Sequence, residues 1–448
     1  MKGRVLILFM FSFGLFMKNV SGQTELNNLI GYALKHSHEI QKADFQVQEA
    51  NYMHKEALGK GLPQIEGSTS YSIMMFNKID IPASVYDMVP AEYAPMLDQL
   101  SNIDKLYSAS ANLQVTQLIY SQSYWLGLQT TKKTQELYSI LKNKNEEEII
   151  AEVANGYYQA GSLMLQLNTI EKSVKNLEEI YKIAELSYQN DLIKETDVNR
   201  LKVTITNLDV TKQTIQNGIN IQLNYLKALA GMPGDSTITI DTASFIHVSE
   251  SKPVNNEFQI GNVPSYQALM KQSEIYNQQT KLSKAQYYPT LAAFGKLGYS
   301  SYNTSSDIDK WNRMTTIGLS MSIPIYNSGV THAKVKQSLL KQKQLNEDIL
   351  QTKDFLKVDY QNAFSEYQTA RNLLVVQKDN RELAQKVYRQ TMLQYQEGMA
   401  SLADLLNVNS DFLQADNSYN QQIIKCKTSE IKMLKATGNL KNIVNINN

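Results

Sequence analysis

Two acidic side chains, Asp197 and Asp404, occupy equivalent places in two similar twelve-residue segments. Residues 188–199 read YQNDLIKETDVN and residues 395–406 read YQEGMASLADLL, so the aspartates lie 207 positions apart. Carboxylates that are brought close together raise one another's pKa and attract cations, so an ion-selecting role is one interpretation. The other interpretation is structural, because Ser401 and Asp404 have the spacing of a helix capping box.

No other group of residues has the spacing of a catalytic or metal site. The sequence lacks the HExxH, P-loop, GxSxG and dinucleotide-binding motifs. A single cysteine, Cys426, excludes an internal disulfide and any cysteine-based metal cluster. The formal net charge of +1 provides no overall field for nucleic acid. We therefore expect a protein without enzyme activity, metal or cofactor.

The first 22 residues differ from the rest of the chain. Lys2 and Arg4 precede an uncharged apolar run, Val5–Phe16, and small residues follow it up to Gly22. This pattern predicts a secretory signal peptide over residues 1–22. An uncleaved anchor is the alternative, but the apolar run is short for a membrane span. Beyond it no apolar stretch is long enough for a transmembrane helix.

The distribution of proline predicts long helices. No proline lies between residues 96 and 232 or after residue 324, and proline inside a helix costs about 3 kcal/mol. In the first of these blocks the apolar residues follow alternating steps of four and three, typical of coiled-coil pairing. The matching positions of the second block include Gln377 and Arg381. We therefore expect the packed face of that helix to be more polar than that of the first.

The similarity between the two halves extends beyond the opening segments. Gly231 and Gly438 each follow a helical block and lie 207 positions apart, and the pair Ile119–Tyr120 matches Ile325–Tyr326. We predict two structural repeats, residues 23–231 and 263–448, joined by a linker over 232–262.

Each repeat contains a pair of segments in which apolar and polar residues alternate. These predict strands over residues 64–76, 109–120, 290–301 and 313–326. The clearest apolar face consists of Ile317, Leu319, Met321, Ile323 and Ile325. A length of about ten residues suits a strand that crosses a membrane.

Four strands cannot close a transmembrane barrel, and an open sheet edge is not tolerated in lipid. Either the strands form a soluble sheet or several chains combine. Aromatic residues at the strand ends favour the second possibility, because such girdles mark bilayer interfaces. One set comprises Tyr120, Tyr124, Trp125, Tyr287, Tyr288 and Tyr326, and the other Tyr299, Tyr302 and Trp311.

The layout resembles the TolC family of bacterial outer-membrane efflux and secretion channels. The shared order is helix, strand, loop, strand ending in Ile-Tyr, long helix, a turn of the form Y..G…..D.L, and a returning helix that ends at glycine, all twice. The resemblance implies a mainly α-helical homotrimer. Four strands per chain would form a 12-stranded transmembrane β-barrel in the outer membrane of a Gram-negative bacterium, and the helices would form a barrel in the periplasm.

The resemblance also implies a function and partners. The protein would be a passive export conduit in a tripartite efflux pump or a type I secretion system, with a periplasmic adaptor protein and an inner-membrane transporter. The runner-up interpretation is a periplasmic coiled-coil scaffold or adaptor that forms no pore.

The family's gating residues map onto the repeated turns. Tyr395, Asp197 and Asp404 match residues that close the tip and form an acidic ring. The family's gating arginine, however, falls on Ala400, and its second ring aspartate on Asn407. The residues expected to dock the adaptor are Tyr188, Asp191, Gly398 and Ser401.

Overall fold

The chain is mainly α-helical and contains one four-stranded sheet. The computed structural model describes residues 26–77, 81–101, 104–242 and 258–441. The predicted signal peptide and residues 243–257 of the predicted linker lie outside these ranges. No helix in the described ranges is both long enough and apolar enough to span a membrane.

The elements follow one another in an order that occurs twice: helix, two strands, long helix, shorter helix. The first series is α1 (Leu26–His36), α2 (His38–Gly59), β1 (Gln64–Met75), α3 (Ala83–Tyr86), α4 (Ala94–Ser101), β2 (Lys105–Ser121), α5 (Gln122–Gln189) and α6 (Glu195–Ala230). The second is α7 (Pro264–Ala285), β3 (Thr290–Asn303), β4 (Asn312–Ser322), α8 (Val330–Gln396) and α9 (Leu402–Ala436). The helices α3 and α4 lie in the longer β1–β2 connection.

The two longest helices coincide with the proline-free blocks. Helix α5 has 68 residues and α8 has 67. Helix α6 ends where Gly231 adopts a left-handed conformation with φ +70°, which glycine tolerates best. A Cβ atom on Gly231 would lie 2.3 Å from the His36 carbonyl oxygen, so glycine also permits the close approach of α6 to the end of α1.

The chain divides into two compact units, and each combines segments from both predicted repeats. Among the described residues, a helical unit contains 26–41, 145–242, 258–260 and 357–441, and a sheet unit contains 42–77, 81–101, 104–144 and 261–356. The helical unit has a core of aliphatic and tyrosine side chains that includes Leu29, Ile150 and Leu374, none of them more than 1% exposed.

The sheet is antiparallel throughout, with the order β1-β2-β3-β4. Its register places Ile65 opposite Val115, Val115 opposite Gly295, and Gly295 opposite Ile317. These four residues belong to the apolar rows that the alternation predicts. The four predicted apolar rows therefore share one face of the sheet.

Two strand ends differ from the predicted ends by four residues, and the others by at most two. Strand β4 ends at Ser322 rather than at Tyr326, because Pro324 lacks the N–H that a sheet ladder requires. Strand β2 begins at Lys105 rather than at residue 109, and its extension pairs with Met75 and Asn303 at the far ends of β1 and β3. The predicted polar face also carries large apolar residues, Phe294 and Met314.

A glutamate of the helical unit, Glu147, has a buried carboxyl group whose ionisation affects stability. Glu147 in α5 is only 5% exposed, and burial raises its pKa to about 7 because the charged form loses hydration. Lys441 and Lys435 oppose this rise by favouring the charged form, but burial has the larger effect.

Replacing Glu147 by glutamine should remove a pH-dependent loss of stability. The folded pKa of about 7 exceeds the ordinary value of 4.5, so the contribution of this group is fully present below pH 4.5. The contribution is lost as the pH rises through 7. Above that pH the free energy of unfolding is lower by about 3 kcal/mol than it is below pH 4.5, because the buried carboxyl group must ionise. Thermal unfolding followed by circular dichroism at pH 5 and pH 8 measures the difference. We expect Glu147→Gln to raise the unfolding temperature at pH 8 and to flatten the pH dependence.

The matched control is Glu152→Gln, which neutralises an exposed carboxylate on the same helix. It should leave the pH dependence of the parent protein intact. Equal pH slopes for the parent and the Glu147→Gln variant would contradict the assignment.

Candidate functional site

The two repeated segments form two helix–turn–helix connections with the same backbone hydrogen bonds. In the first turn, which joins α5 to α6, the Leu192 N–H donates to the Ser187 carbonyl at 2.9 Å. In the second, which joins α8 to α9, the Met399 N–H donates to the Gln394 carbonyl at 2.7 Å. Both turns are Schellman motifs, which require a left-handed residue after the helix. That residue is Gly398 in the second turn, as its sequence position predicts.

Asp191 occupies the left-handed position of the first turn, with φ +59°. Left-handed backbone is less favourable for residues with a Cβ atom, although aspartate is among those that adopt it. Sequence comparison of the two turns identifies the position but does not by itself show that Asp191 keeps the same conformation as Gly398.

The two returning helices begin differently. At the start of α9 the Asp404 N–H donates to the Ser401 Oγ at 3.1 Å, and the Ser401 N–H donates to the Asp404 carboxylate at 3.3 Å. This reciprocal pair is the capping box that the sequence predicts. The start of α6 has Lys194 in place of the serine, and its side chain caps nothing.

A shared apolar cluster brings the two turns together. All four helices contribute to it: Leu177 and Ile180 from α5, Leu201 from α6, Tyr388 from α8 and Leu405 from α9. We call this the turn cluster. Because the turn cluster joins the two turns, Asp197, Asp404 and Tyr395 lie at the same end of the helical unit.

Tyr395 and Asp197 are neighbours across the two turns. Tyr395 is half-buried against the turn cluster. Burial raises the pKa of its phenol, and the charge of Asp197 raises that pKa further. Asp404 is exposed, and its carboxylate also accepts a hydrogen bond from the Ser401 hydroxyl at 2.6 Å. The structure thus places Asp197 close enough for its charge to act on Tyr395 and engages Asp404 in its own helix cap.

Two exposed apolar side chains lie beside the predicted docking residues. Leu192 is 76% exposed and Met399 is 74% exposed, and each follows the left-handed residue of its turn. They occupy equivalent positions 207 residues apart, so the repeat pattern could have identified them, although the sequence analysis did not. Tyr188 and Ser401 are also exposed, which leaves both turns open to a partner.

An ion pair between a partly exposed arginine and a buried aspartate joins α8 to α9 away from the turns. The Arg381 Nε donates to the Asp416 Oδ1 at 2.5 Å, and the Asp416 side chain is 2% exposed. The Asn420 side-chain amide donates to the second oxygen of Asp416 at 2.9 Å. Arg381 lies on the more polar seam that the sequence indicates, but its partner is 35 positions away and cannot be read from the heptad pattern.

Polar contacts also link α5 to α9. The Ser173 hydroxyl donates to the Asn409 side-chain oxygen at 2.9 Å, and both residues are buried. Near them the rings of Tyr388 and Phe412 stack with centroids 5.7 Å apart. The helices that carry the turns are therefore joined by specific polar pairs as well as by the turn cluster.

Comparison with known proteins identifies relatives in bacterial outer membranes. Residues 260–439 match the family described as outer membrane efflux protein. Outer membrane protein TolC of Salmonella enteritidis is 23% identical over 282 residues, which cover 57% of this chain and 56% of the relative. The probable efflux pump outer membrane protein TtgC of Pseudomonas putida is 22% identical, with 65% and 60% covered. The chain thus matches little more than half the length of these relatives.

Solved structures of outer-membrane channels have the same fold. The CmeC outer membrane channel of Campylobacter jejuni aligns with a TM-score of 0.73 at 16% identity, covering 93% of this chain and 86% of the neighbour. The outer membrane protein VceC of Vibrio cholerae aligns with a TM-score of 0.70 at 17% identity, covering 92% and 96%.

The capping difference between the two turns predicts opposite effects of two substitutions. Ser401→Ala removes the acceptor for the Asp404 N–H and should destabilise the first turn of α9 by about 1 kcal/mol. Lys194→Ser introduces a hydroxyl that can accept from the Asp197 N–H. This substitution should stabilise the first turn of α6 by about the same amount. Amide hydrogen exchange at the start of each helix measures both effects. Unchanged exchange in the Ser401→Ala variant would show that the cap has no energetic role.

Proposed function

We propose that this chain is the subunit of an export channel, because residues 260–439 match the family of outer membrane efflux proteins and the chain is similar to TolC. The family is located in the outer membrane of Gram-negative bacteria and extends into the periplasm. The proposed channel is a passive conduit in a tripartite efflux pump or a type I secretion system. Its partners are a periplasmic adaptor protein and an inner-membrane transporter.

The exposed apolar face of the sheet carries this proposal. Ile65 is 70% exposed, Ile317 is 85% exposed and Leu319 is 71% exposed, all on one face. A soluble sheet would bury such a row against another layer. Contact with lipid satisfies these side chains without a covering layer.

The sheet edges support assembly from several copies. Within the described residues, β1 and β4 each pair with one neighbouring strand only, so the outer backbone groups of both lack strand partners. In a bilayer those groups require hydrogen bonds. Pairing of β4 with β1 of the next copy supplies them, and three copies of four strands give a 12-stranded barrel, which is within the known size range.

The opposite face of the sheet suits a water-filled interior. Small hydroxyl side chains face one another across the strands, with Ser70 and Ser110 2.9 Å apart and Ser72 and Ser108 2.7 Å apart. Transmembrane barrels place polar side chains inward and apolar side chains outward. The twofold element order further supports the proposal that the two halves are copies of one ancestral unit.

We assign the gate to the turns of the helical unit. In a trimer, threefold copies of Asp404 at a narrow tip repel one another and attract cations. The proximity of Asp197 to Tyr395 supports a contact that holds the two turns together in the closed state. Ala400 and Asn407 stand where the family has its gating arginine and its second ring aspartate. The proposed contact between the turns and the proposed acidic ring therefore involve fewer charged side chains than in the family.

The adaptor is proposed to dock on the turns formed by Tyr188 and Asp191 and by Gly398 and Ser401. The exposure of Leu192 and Met399 supports this assignment, since apolar side chains that remain open to water mark protein contacts. A photocrosslinking residue at either apolar position should trap the adaptor. Trapping only at distant helical positions would contradict the assignment.

The proposed assembly predicts a heat-modifiable trimer in the outer membrane. Cell fractionation followed by electrophoresis of unheated and heated samples should give a band of about three times the chain mass that collapses on heating. A soluble monomer in the periplasm would instead support the scaffold or adaptor without a pore.

Neutralising Asp404 should reduce cation selectivity. Because Asp404 also caps α9, Asp404→Asn is the informative variant, since its amide oxygen can still accept the hydrogen bonds of the cap. Single-channel recordings in a salt gradient should show the reversal potential moving toward zero for Asp404→Asn and for Asp404→Ala alike. If only the alanine variant changes the recordings, the residue has a structural role alone.

Asp411→Ala provides the control for this experiment. Asp411 is exposed and lies seven residues further along α9, so the variant removes the same charge two turns from the tip. Its selectivity should equal that of the parent channel.

A further inference from the structure

The parts of α7 and α8 nearest the strands carry lysines and lack carboxylates. After Glu274 in α7 and before Glu347 in α8 neither helix contains aspartate or glutamate. Among the described residues, the lysines in these segments are exposed and pair with no carboxylate: Lys281, Lys284, Lys334, Lys336, Lys341 and Lys343.

Two acidic residues on the packed helices α5 and α7 already pair with other lysines. Glu274 pairs with Lys133 at 2.5 Å and with Lys271 at 3.1 Å. Glu136 of α5 pairs with Lys271 at 2.9 Å. The positive charge of the strand-proximal segments therefore remains uncompensated within the sheet unit.

Two of these lysines line a cleft between α7 and α8. The cleft has a volume of about 130 Å³, with Lys334 and Lys341 on the α8 wall and Tyr276 on the α7 wall. The hydroxyls of Ser283 and Ser338 lie 2.9 Å apart across it. Every polar side chain that lines the cleft can donate a hydrogen bond, and none is acidic.

We propose that this cleft binds a phosphate group. Ammonium groups and hydroxyls are the donors that phosphate oxygens accept from, and hydrogen bonds between charged partners are about twice as strong as neutral ones. Lys334 donates to the Gln286 side-chain oxygen at 3.3 Å, which is a neutral acceptor that a phosphate can replace. A bound phosphate offers Lys334 and Lys341 the anionic partner that they lack.

The position of the cleft favours the headgroup of an anionic phospholipid as the source of the phosphate. Gln286 lies four residues before β3, and the exposed rings of Tyr287 and Tyr288 lie between. In the orientation of the proposed function, on which this choice of source rests, those rings mark the membrane interface. Lysines next to that interface attract anionic headgroups, each by about fivefold. A free phosphate in solution is the other source of the same chemistry.

The test compares two double variants that remove equal charge from the same helix. Lys334→Gln with Lys341→Gln changes the cleft, and Lys336→Gln with Lys343→Gln changes neighbouring lysines that do not line it. The full-length protein is placed in nanodiscs of phosphatidylethanolamine and phosphatidylglycerol, and the retained lipids are quantified by mass spectrometry. We expect phosphatidylglycerol to be enriched about fivefold or more by the parent protein, and the enrichment to fall by a clearly larger factor in the Lys334/Lys341 variant than in the Lys336/Lys343 variant.

Inorganic phosphate added to lipid-free protein in detergent distinguishes the two sources. Broadening of the phosphorus resonance by the parent protein but not by the Lys334/Lys341 variant, without lipid enrichment, would support the site and assign it to free phosphate. Binding of neither probe, or equal loss in both double variants, would overturn the proposal. Conductance measured on the same preparations separates the two proposals, since a conducting protein without phosphate binding disproves only this one.

Discussion

The constraint on which the architecture depends is the hydrogen bonding of an open four-stranded sheet. Each strand pairs well with its sequence neighbour, yet the outer edges of β1 and β4 have no strand partner within the described chain, and the apolar face has no covering layer. Backbone groups without partners cost several kcal/mol each in lipid, and an exposed apolar face is unfavourable in water. In the proposed outer-membrane setting a single chain satisfies neither requirement, and closure by further copies would satisfy both.

The helices face a different problem, which is to pair long amphipathic surfaces in one register. Apolar seams alone tolerate slippage by a heptad, because the pattern repeats. The Arg381–Asp416 pair and the Ser173–Asn409 hydrogen bond break that equivalence, since a shifted helix would leave buried polar groups without partners. A buried ion pair contributes little net stability compared with apolar packing. Its more general role in proteins is to favour one register over the alternatives, and here it joins the two helices that carry the second turn.

Much of this organisation is predictable from sequence because it depends on local chemistry. The absence of proline indicates α5 and α8, the period-two alternation indicates all four strands, and the Ser401–Asp404 spacing indicates the cap of α9. The features that escaped prediction depend on contacts between distant residues. The extension of β2 to Lys105 requires partners from β1 and β3, and the pairing of Arg381 requires a residue on another helix. The end of β4 is an exception, because Pro324 was visible in the sequence and marks the loss of the ladder.

The two turns are alike in backbone but unequal in their means of stabilisation, and this bears on how a gate would work. The second turn combines an unstrained Gly398 with a capping box, so Asp404 is fixed by local hydrogen bonds. The first turn places Asp191 in a left-handed conformation and leaves the start of α6 uncapped by a side chain, which together cost about 1–3 kcal/mol relative to the second turn. The first turn is held instead by side chains in the turn cluster, among them Ile193, Val198 and Leu201. If the tip opens as proposed, the first turn offers less local resistance to that movement than the second.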